Sequence, residues 1–365
     1  MSKLLNIVRN KFLRLLLGNL YHPNFFSAEK KVSKKIPAIN ARFSLGQRMR
    51  CFLSGFNSDK LVWYDWDTYK KEDYISDLVH FRDFELIDWK YYYIAHNKLV
   101  CERFFSNFCN VIPTIGYIEK GHYFSIGHDN SIKSVGDLIQ CIRQGECFYL
   151  KPYDGGSGRG IGKLAFVNGS FLWNSEKISK NDIEHFLAAL SGYLVQRMFV
   201  QEGFSHDVNP NTLNTLRVFT MLSPTTHRAF VAAAVHRFGR KDTFVDNIAK
   251  EGLLCPVNVE TGKIEYAVIY PSDAELRKVH SHPDTDVQIA GVEVPHWKDV
   301  ARLCEELAMQ IPFMPLCGWD IVISGKNIYL QELNYNPDIY LGQILKPLLL
   351  DKRVKEFYDY YVNKK

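Results

Sequence analysis

The chain has 365 residues, 46% of them hydrophobic and 14% aromatic, which excludes a disordered or fibrous protein. Lys and Arg number 45 against 40 Asp and Glu, a net charge of +5, too mild for a protein that coats nucleic acid through a basic stripe. Length alone argues for about two to three domains.

Eight cysteines (Cys51, Cys101, Cys109, Cys141, Cys147, Cys255, Cys304 and Cys317) show no CxxC and no zinc spacing. They read as reduced core thiols of a cytoplasmic protein. No apolar run reaches the ~18 residues of a membrane span. Residues 4–20 read LLNIVRNKFLRLLLGNL, with Lys3, Arg9, Lys11 and Arg14 interspersed. Those charges interrupt the apolar core that a signal peptide needs. Leu4, Leu5, Val8, Phe12, Leu15 and Leu16 share one helical face, so an amphipathic basic helix is predicted. Packing against the protein body is the commoner use of such a helix. Peripheral contact with an anionic membrane through residues 3–20 is the alternative, and would place the protein at the inner face of the membrane.

Residues 27–50 are polar and basic and read as loop or solvated helix. Residues 61–100 are dense in Tyr, Trp and Asp (VWYDWDTYKKEDY, then DWKYYYIAHNK). Core packing is the expectation there, with a carbohydrate or partner surface as the alternative. From Cys101 the pattern is mixed α/β. A short strand is predicted within Ile112–Ile118, a helix over Val135–Arg143, and an apolar strand over Cys147–Leu150. Strands follow at Tyr193–Gln196, Leu216–Met221 and His227–Arg237, then a helix over Trp297–Met309. Trp319–Ile323 and Ile328–Asn334 form a hairpin.

Two segments carry chemistry. The first runs from Lys151 into Gly155-Gly156-Ser157-Gly158-Arg159-Gly160-Ile161-Gly162. Glycines let backbone N–H groups approach phosphate oxygens, because no Cβ intervenes. The spacing fits neither a Walker A loop nor a Rossmann fingerprint. A flexible turn is the plain alternative. Lys151 at the strand end favours a grip on nucleotide phosphates, with the loop closing as a flap. The second is the hairpin. Strand period two puts Glu332 and Asn334 on one face. If Asp320 pairs across the hairpin with Glu332, the three converge as hard oxygen ligands for magnesium. The alternative is a polar face turned to solvent.

These features, in this order, resemble the ATP-grasp superfamily. Asn214-Thr215-Leu216-Arg217-Val218, Val245-Asp246-Asn247, His282-Pro283-Asp284-Thr285, Val294-Pro295-His296-Trp297, Gly318-Trp319-Asp320 and Glu332-Leu333-Asn334 narrow the likeness. Together they look like the sugar-transfer-associated ATP-grasp family over roughly residues 95–345. The resemblance implies an α+β fold in which two subdomains grip ATP: residues 96–192 with the glycine-rich flap, and 193–346 with the magnesium site. A mixed, mainly helical region (1–95) would precede them and a helical tail (347–365) would follow.

By the same resemblance, Lys98, on a helix ahead of the Ile112-Pro113-Thr114 loop, and Lys151 grip the nucleotide, with Gly155, Gly156, Ser157, Gly158 and Gly160 over its phosphates. The segment Leu194–Val200 is the hinge at the adenine, which points to Gln196, Arg197 and Phe199, and further on to Glu202. The glutamate usual at the hinge is replaced here by Gln196 or Arg197. Arg217 stands near the γ-phosphate, so Arg217 and Lys151 are the catalytic candidates. Asp320 and Glu332 serve both nucleotide and metal, with Asn334 as third ligand. Asn214, Asp246, Asn247 and His282 line the acceptor side.

The implied reaction is ATP-dependent joining of a small-molecule carboxylate to an amine, the substrates sugar- or lipid-linked, in polysaccharide or glycoconjugate synthesis. ATP and Mg2+ are the implied cofactors, and no nucleic-acid role is expected. A kinase acting on a sugar or lipid-linked hydroxyl and a non-catalytic ATP-binding module are the rival readings. Two plain readings stand beside these roles: His282 as a loop histidine, and Arg217 as a buried partner of Asp246.

Overall fold

A computed structural model describes residues 18, 21–127, 131–155, 159–178, 182–240, 243, 246, 252–269 and 272–363. Its longer helices are α1 (Pro23–Lys35), α2 (Leu45–Leu53), α3 (Lys98–Phe105), α4 (Val135–Arg143), α5 (Trp297–Gln310) and α6 (Lys352–Tyr361). Local chemistry sets their starts. Pro23 occupies the first turn of α1, Ser44 and Gln47 form a reciprocal capping box on α2, and the Asn97 side chain accepts from the N–H groups of Leu99 and Val100 at the head of α3.

The strands in chain order are β1 (Asn110–Val111), β2 (Gly116–Glu119), β3 (His122–Ser125), β4 (Phe148–Pro152), β5 (Gly162–Val167), β6 (Ser170–Trp173) and β7 (Glu176–Ile178). They continue with β8 (Tyr193–Arg197), β9 (Thr215–Leu222), β10 (Ala229–Phe238), β11 (Leu253–Val257), β12 (Ala267–Ile269), β13 (Arg277–Val279), β14 (Leu316–Ser324) and β15 (Asn327–Asn334). Among the described residues they form two sheets. The larger has the order β1-β15-β14-β9-β10-β11-β12-β13, the smaller β3-β2-β8-β4-β5-β6-β7.

Both faces of the large sheet are covered. Leu216, Val218, Trp319, Ile321 and Leu333 pack under α5 and α3, against Val300, Cys304, Leu307, Cys101 and Phe105. On the other face Phe219, Met221 and Val235 meet Trp63, Tyr64, Tyr74 and Phe84 from the N-terminal third, and Leu341, Val354 and Phe357 from the C-terminal end. The small sheet packs on Leu138, Ile139 and Ile142 of α4.

This packing redraws the expected boundaries. Strand β8, at the start of the unit expected over 193–346, lies in the small sheet between β2 and β4. Helix α3 packs on the large sheet although it lies in the stretch expected to belong to the flap subdomain. Residues of the stretch 63–87 and the tail share one hydrophobic cluster on the large sheet instead of standing apart, and Ala95 joins the cluster on its other face. The basic stretch 27–50 holds anchored helices, with Phe25 and Val32 buried in α1. The aromatic-dense segment divides: Trp63, Tyr64 and Tyr74 are core, whereas Trp89, Tyr92 and Tyr93 are exposed. No cysteine is bonded to another. No helix among the described residues is long and apolar enough to cross a membrane. The helix expected over residues 3–20 lies, apart from Gly18, outside the described residues.

Candidate active site

Three strands set one row of charges. Arg217 on β9 is directly opposite Asp320 on β14, and Asp320 is directly opposite Glu332 on β15. Directly paired residues share a face, so the hairpin delivers the pairing on which the convergence of Asp320 and Glu332 depended. Ile321 and Leu333 belong to the opposite face.

Arg217 does not pair with Asp246. Its Nε donates to Asp320 Oδ1 at 2.5 Å and its Nη2 to Oδ2 at 2.9 Å. Arg237 on β10 adds Nη2 to Asp320 Oδ2 at 3.0 Å. Burial alone would raise the Asp320 pKa, but the two guanidinium groups outweigh it and hold the carboxyl at about 2. Asp246 accepts from the N–H of Thr215 at 3.0 Å and from its hydroxyl, and stands 3.5 Å from Arg237 Nε. Its pKa is raised by burial, against the pull of Arg237. Arg237 was not a sequence candidate. Only the strand pairing reveals it: Arg237 sits opposite Thr215 on the strand beside β9, two residues along from the pair of Val235 and Arg217, hence on the same face.

The two lysines come from different elements, Lys98 from α3 on the large sheet and Lys151 from β4 in the small sheet. Lys98 opens α3; its Nζ lies 3.4 Å from Glu332 Oε1 and donates to Gly155 O at 2.8 Å. Lys151, on β4, is only 5% exposed. Burial pushes its ammonium down to about 8, while Glu332 and then Glu102 pull it up. The root of the glycine loop is tied to the start of α3. Lys98 N donates to Tyr153 O at 2.8 Å and Gly155 N to His96 Nε2 at 3.2 Å. Gly155 has φ +94°, a left-handed backbone that favours glycine. Gly162 faces the ring of Trp173 so closely that a Cβ would sit 2.2 Å from it. Gly156, Ser157 and Gly158 lie outside the described residues, as does Asn247.

The remaining candidates divide. Gln196 is buried, and its Nε2 donates inward to Ile112 O at 2.8 Å and Thr114 Oγ1 at 3.3 Å. Its side chain is therefore taken by the fold and does not face a nucleotide. Arg197 pairs with Glu146 and donates to Ser131 Oγ at 3.1 Å. Phe199 packs edge-on against Tyr329 at 5.0 Å. Glu202 is exposed at the β14–β15 turn, its N–H on Ser324 Oγ at 2.9 Å. Ser324 is four residues beyond Asp320 on β14, or ~13 Å along a strand.

Two acceptor-side candidates prove structural. The Asn214 amide donates to Ser205 O and Asn209 O, both at 2.8 Å, and its Oδ1 accepts from Gly239 N. Both its amide hydrogens are taken and it is 0% exposed, so it is committed to the fold. His282 is 1% exposed; its Nε2 donates to Gly239 O at 2.9 Å and its Nδ1 accepts from Asp284 N at 3.3 Å. With both ring nitrogens engaged it holds a loop and cannot serve as a base.

The donor set suits a hard divalent cation in part. The Glu332 side chain is 26% exposed. The Asn334 amide turns its Nδ2 to Gly318 O at 3.4 Å, which leaves its oxygen uncommitted. Asp320 accepts three N–H bonds of the roughly four that a carboxylate can take. Glu332 and Asn334 are thus the accessible oxygen ligands, and Asp320 is first an anchor for arginines. No cluster of three His, Cys, Asp or Glu able to hold a metal stands among the described residues.

Two sheets, with lysines converging on a row of carboxylates beside a tethered glycine loop, define the ATP-grasp class. The chain belongs to the sugar-transfer-associated ATP-grasp family, whose model matches residues 72–358. Three solved structures are similar. D-alanyl-alanine synthetase A from Vibrio cholerae shares 13% identity over 74% of this chain and 65% of its own, with a TM-score of 0.40. An N5-carboxyaminoimidazole ribonucleotide synthetase in its ADP complex shares 11% over 70% and 52%, with a TM-score of 0.38. A RiPP-associated ATP-grasp ligase from Chryseobacterium gregarium, in complex with ADP and a leader and core peptide, shares 9% over 76% and 62%, also with 0.38. The chain spans less than two thirds of each of these structures. A comparison with the curated proteins finds no match.

Proposed function

We propose that the protein is an ATP-dependent, ADP-forming ligase that joins a carboxylate to an amine through an acylphosphate. The observation that supports this reading most is the meeting of Lys98, Lys151, Arg217, Asp320 and Glu332 at one place between the two sheets.

A substrate carboxylate oxygen attacks the γ-phosphorus of ATP and ADP leaves with the broken bond's electron pair. An amine then attacks the acyl carbon, phosphate departs with the electron pair of the C–O bond, and the nitrogen gives up one proton, which the departing phosphate can take. The first step brings two anions together, so cations must offset their repulsion. Lys98 and Lys151 serve the phosphates. Arg217 spends two of its five N–H donors on Asp320, which fixes the guanidinium plane and leaves the others for an anion. The loop anchored at Gly155 would exclude water from the acylphosphate. Magnesium, when bound, would be held by Glu332 and Asn334 with a share of Asp320, and would supply positive charge between the phosphates.

The substrates in this reading are sugar- or lipid-linked, in glycoconjugate synthesis at the cytoplasmic side; the family's description supports the association with sugar transfer. The test is a screen for ADP release, with magnesium, of carboxylates against amines. Release that requires both substrates supports the reading. A stable phosphorylated product formed without an amine overturns it in favour of a kinase. Nucleotide binding with no ADP formed under any mixture overturns it in favour of a binding module.

A further inference from the structure

The net charge of +5 conceals a division. Residues 1–54 hold eleven Lys and Arg against a single Asp or Glu, a net +10, so the remaining 311 residues are net −5. Within the described part of this segment Lys30, Lys31, Lys34, Lys35, Arg42 and Arg50 are all exposed, and Arg48 is half-buried. No ion pair engages any of the seven among the described residues. The one acid, Glu29, is turned inward, where Ser58 donates to it from its N–H at 2.8 Å and from its hydroxyl at 2.6 Å.

Among the described residues the same segment leaves apolar side chains largely uncovered. Leu45, Met49 and Leu53 of α2 are 66%, 48% and 51% exposed. They stand at i, i+4 and i+8, which keeps them within an arc of ~80° on a helix of 3.6 residues per turn. By the same spacing Arg48 and Arg50 fall on either side of that arc, ~60° away. The helix is anchored: Cys51, opposite the stripe, is buried, and Phe52, ~20° from Leu45 at the edge of the stripe, stacks on Phe25 of α1 with ring centroids 4.6 Å apart. A secured helix that turns an aliphatic stripe outward between arginines is matched to an interface apolar below and anionic above.

We propose that residues 21–54 dock the protein on an anionic membrane surface, with Leu45, Met49 and Leu53 entering the headgroup boundary and the surrounding Lys and Arg meeting lipid phosphates. The stripe supplies the apolar contact and the charge supplies long-range attraction. A purely electrostatic partner, such as a nucleic acid, would leave the aliphatic stripe without a role. The amphipathic sequence of residues 3–20 would add to the same surface. The proposal does not rest on the ligase reading.

The test is flotation of the full chain with vesicles of phosphatidylcholine alone and of phosphatidylcholine with about one third phosphatidylserine. Binding to the anionic vesicles only, weakened at least tenfold at ~0.5 M salt, is expected. Each exposed basic residue removed should cost up to about fivefold. The variant L45S/M49S/L53S should lose binding at least tenfold while its thermal melting changes little, since about half or more of each side chain is already exposed. K34S/K35S/R42S/R50S should lose it through the charge. Equal binding to both vesicle types, or none, overturns the proposal. Wild-type binding by L45S/M49S/L53S overturns the assignment to α2. Tight, salt-sensitive binding of an RNA or DNA duplex with indifference to vesicles overturns the membrane in favour of nucleic acid.

Discussion

Arg217 and Asp320 lie directly opposite each other on adjacent antiparallel strands and close a two-point ion pair, at 2.5 and 2.9 Å, with the arginine 6% and the aspartate 4% exposed. The pair is asymmetric in its support. Asp320 keeps Arg237 if Arg217 is lost, whereas Asp320 is the one acid on which both guanidinium groups bear. Removing one partner of a buried pair typically costs about 3–5 kcal/mol. D320A should therefore melt at a lower temperature than R217A, with both below wild type by scanning calorimetry. R217A should abolish acceptor-dependent ADP release while retaining its fold. Equal destabilisation by the two variants would show that Arg237 does not share the load. The guanidinium groups of Arg217 and Arg237 also hold the Asp320 carboxyl at about 2, below the usual carboxylate range, against the opposing effect of burial. Its contribution to stability is thus present above pH ~4 and is lost as the pH falls toward 2.

Lys151 predicts a pH dependence of nucleotide affinity. Its free-state pKa is lowered by burial to about 8, so the ammonium is charged below that pH and neutral above it. The KM for ATP should rise as the pH increases through 8, by roughly tenfold per pH unit if the charge is essential. In K151R, whose guanidinium stays charged, that rise should disappear even if turnover is poorer. A wild-type KM that stays flat to pH 9.5 would remove Lys151 from the phosphate grip.

Glu332 is placed to answer two cations, Lys98 at 3.4 Å and a divalent ion. In E332Q the magnesium concentration for half-maximal ADP release should rise at least tenfold, because an amide oxygen carries no charge to hold a hard cation. Melting in the absence of magnesium should change by less than about 1 kcal/mol, as expected for a partly exposed pair. Unaltered magnesium dependence in E332Q would sink the metal assignment.

Where the sequence was informative, regular alternation made it so. The hairpin residues Asp320 and Glu332 sit in a strand pair with a two-residue turn and a clear apolar opposite face, and their pairing follows from period two. Helix α4 carries a polar cap and an uninterrupted apolar face, and its predicted and observed limits agree. Arg237, Asn214 and His282 were not readable in this way. Their roles depend on which strand lies beside β9 and on loop carbonyls such as Gly239 O, and no local spacing encodes those neighbours. The family resemblance drew attention to Asn214 and His282, but a motif residue can be a scaffold as well as a ligand. Strands β5–β7 and β11–β13 leave little trace in the sequence because several are short and their alternation is weak.

The last prediction concerns Asp88, a carboxyl in the core away from the site. It is 1% exposed, its Oδ2 accepts from Leu316 N at 3.3 Å, and its Oδ1 has no partner. Burial raises its pKa to about 8, with the Leu316 N–H opposing. A carboxyl whose pKa is higher folded than unfolded favours the folded state most below pH ~4, and that advantage is lost progressively as the pH climbs to about 8. D88N keeps an oxygen for Leu316 N–H and removes the charge that must otherwise be buried or neutralised. D88N should therefore melt above wild type at pH 8.5, and the gap should narrow or vanish at pH 5. A variant less stable than wild type at both pH values would mean that the second oxygen accepts a hydrogen bond, as from a buried water, which an amide NH2 cannot accept.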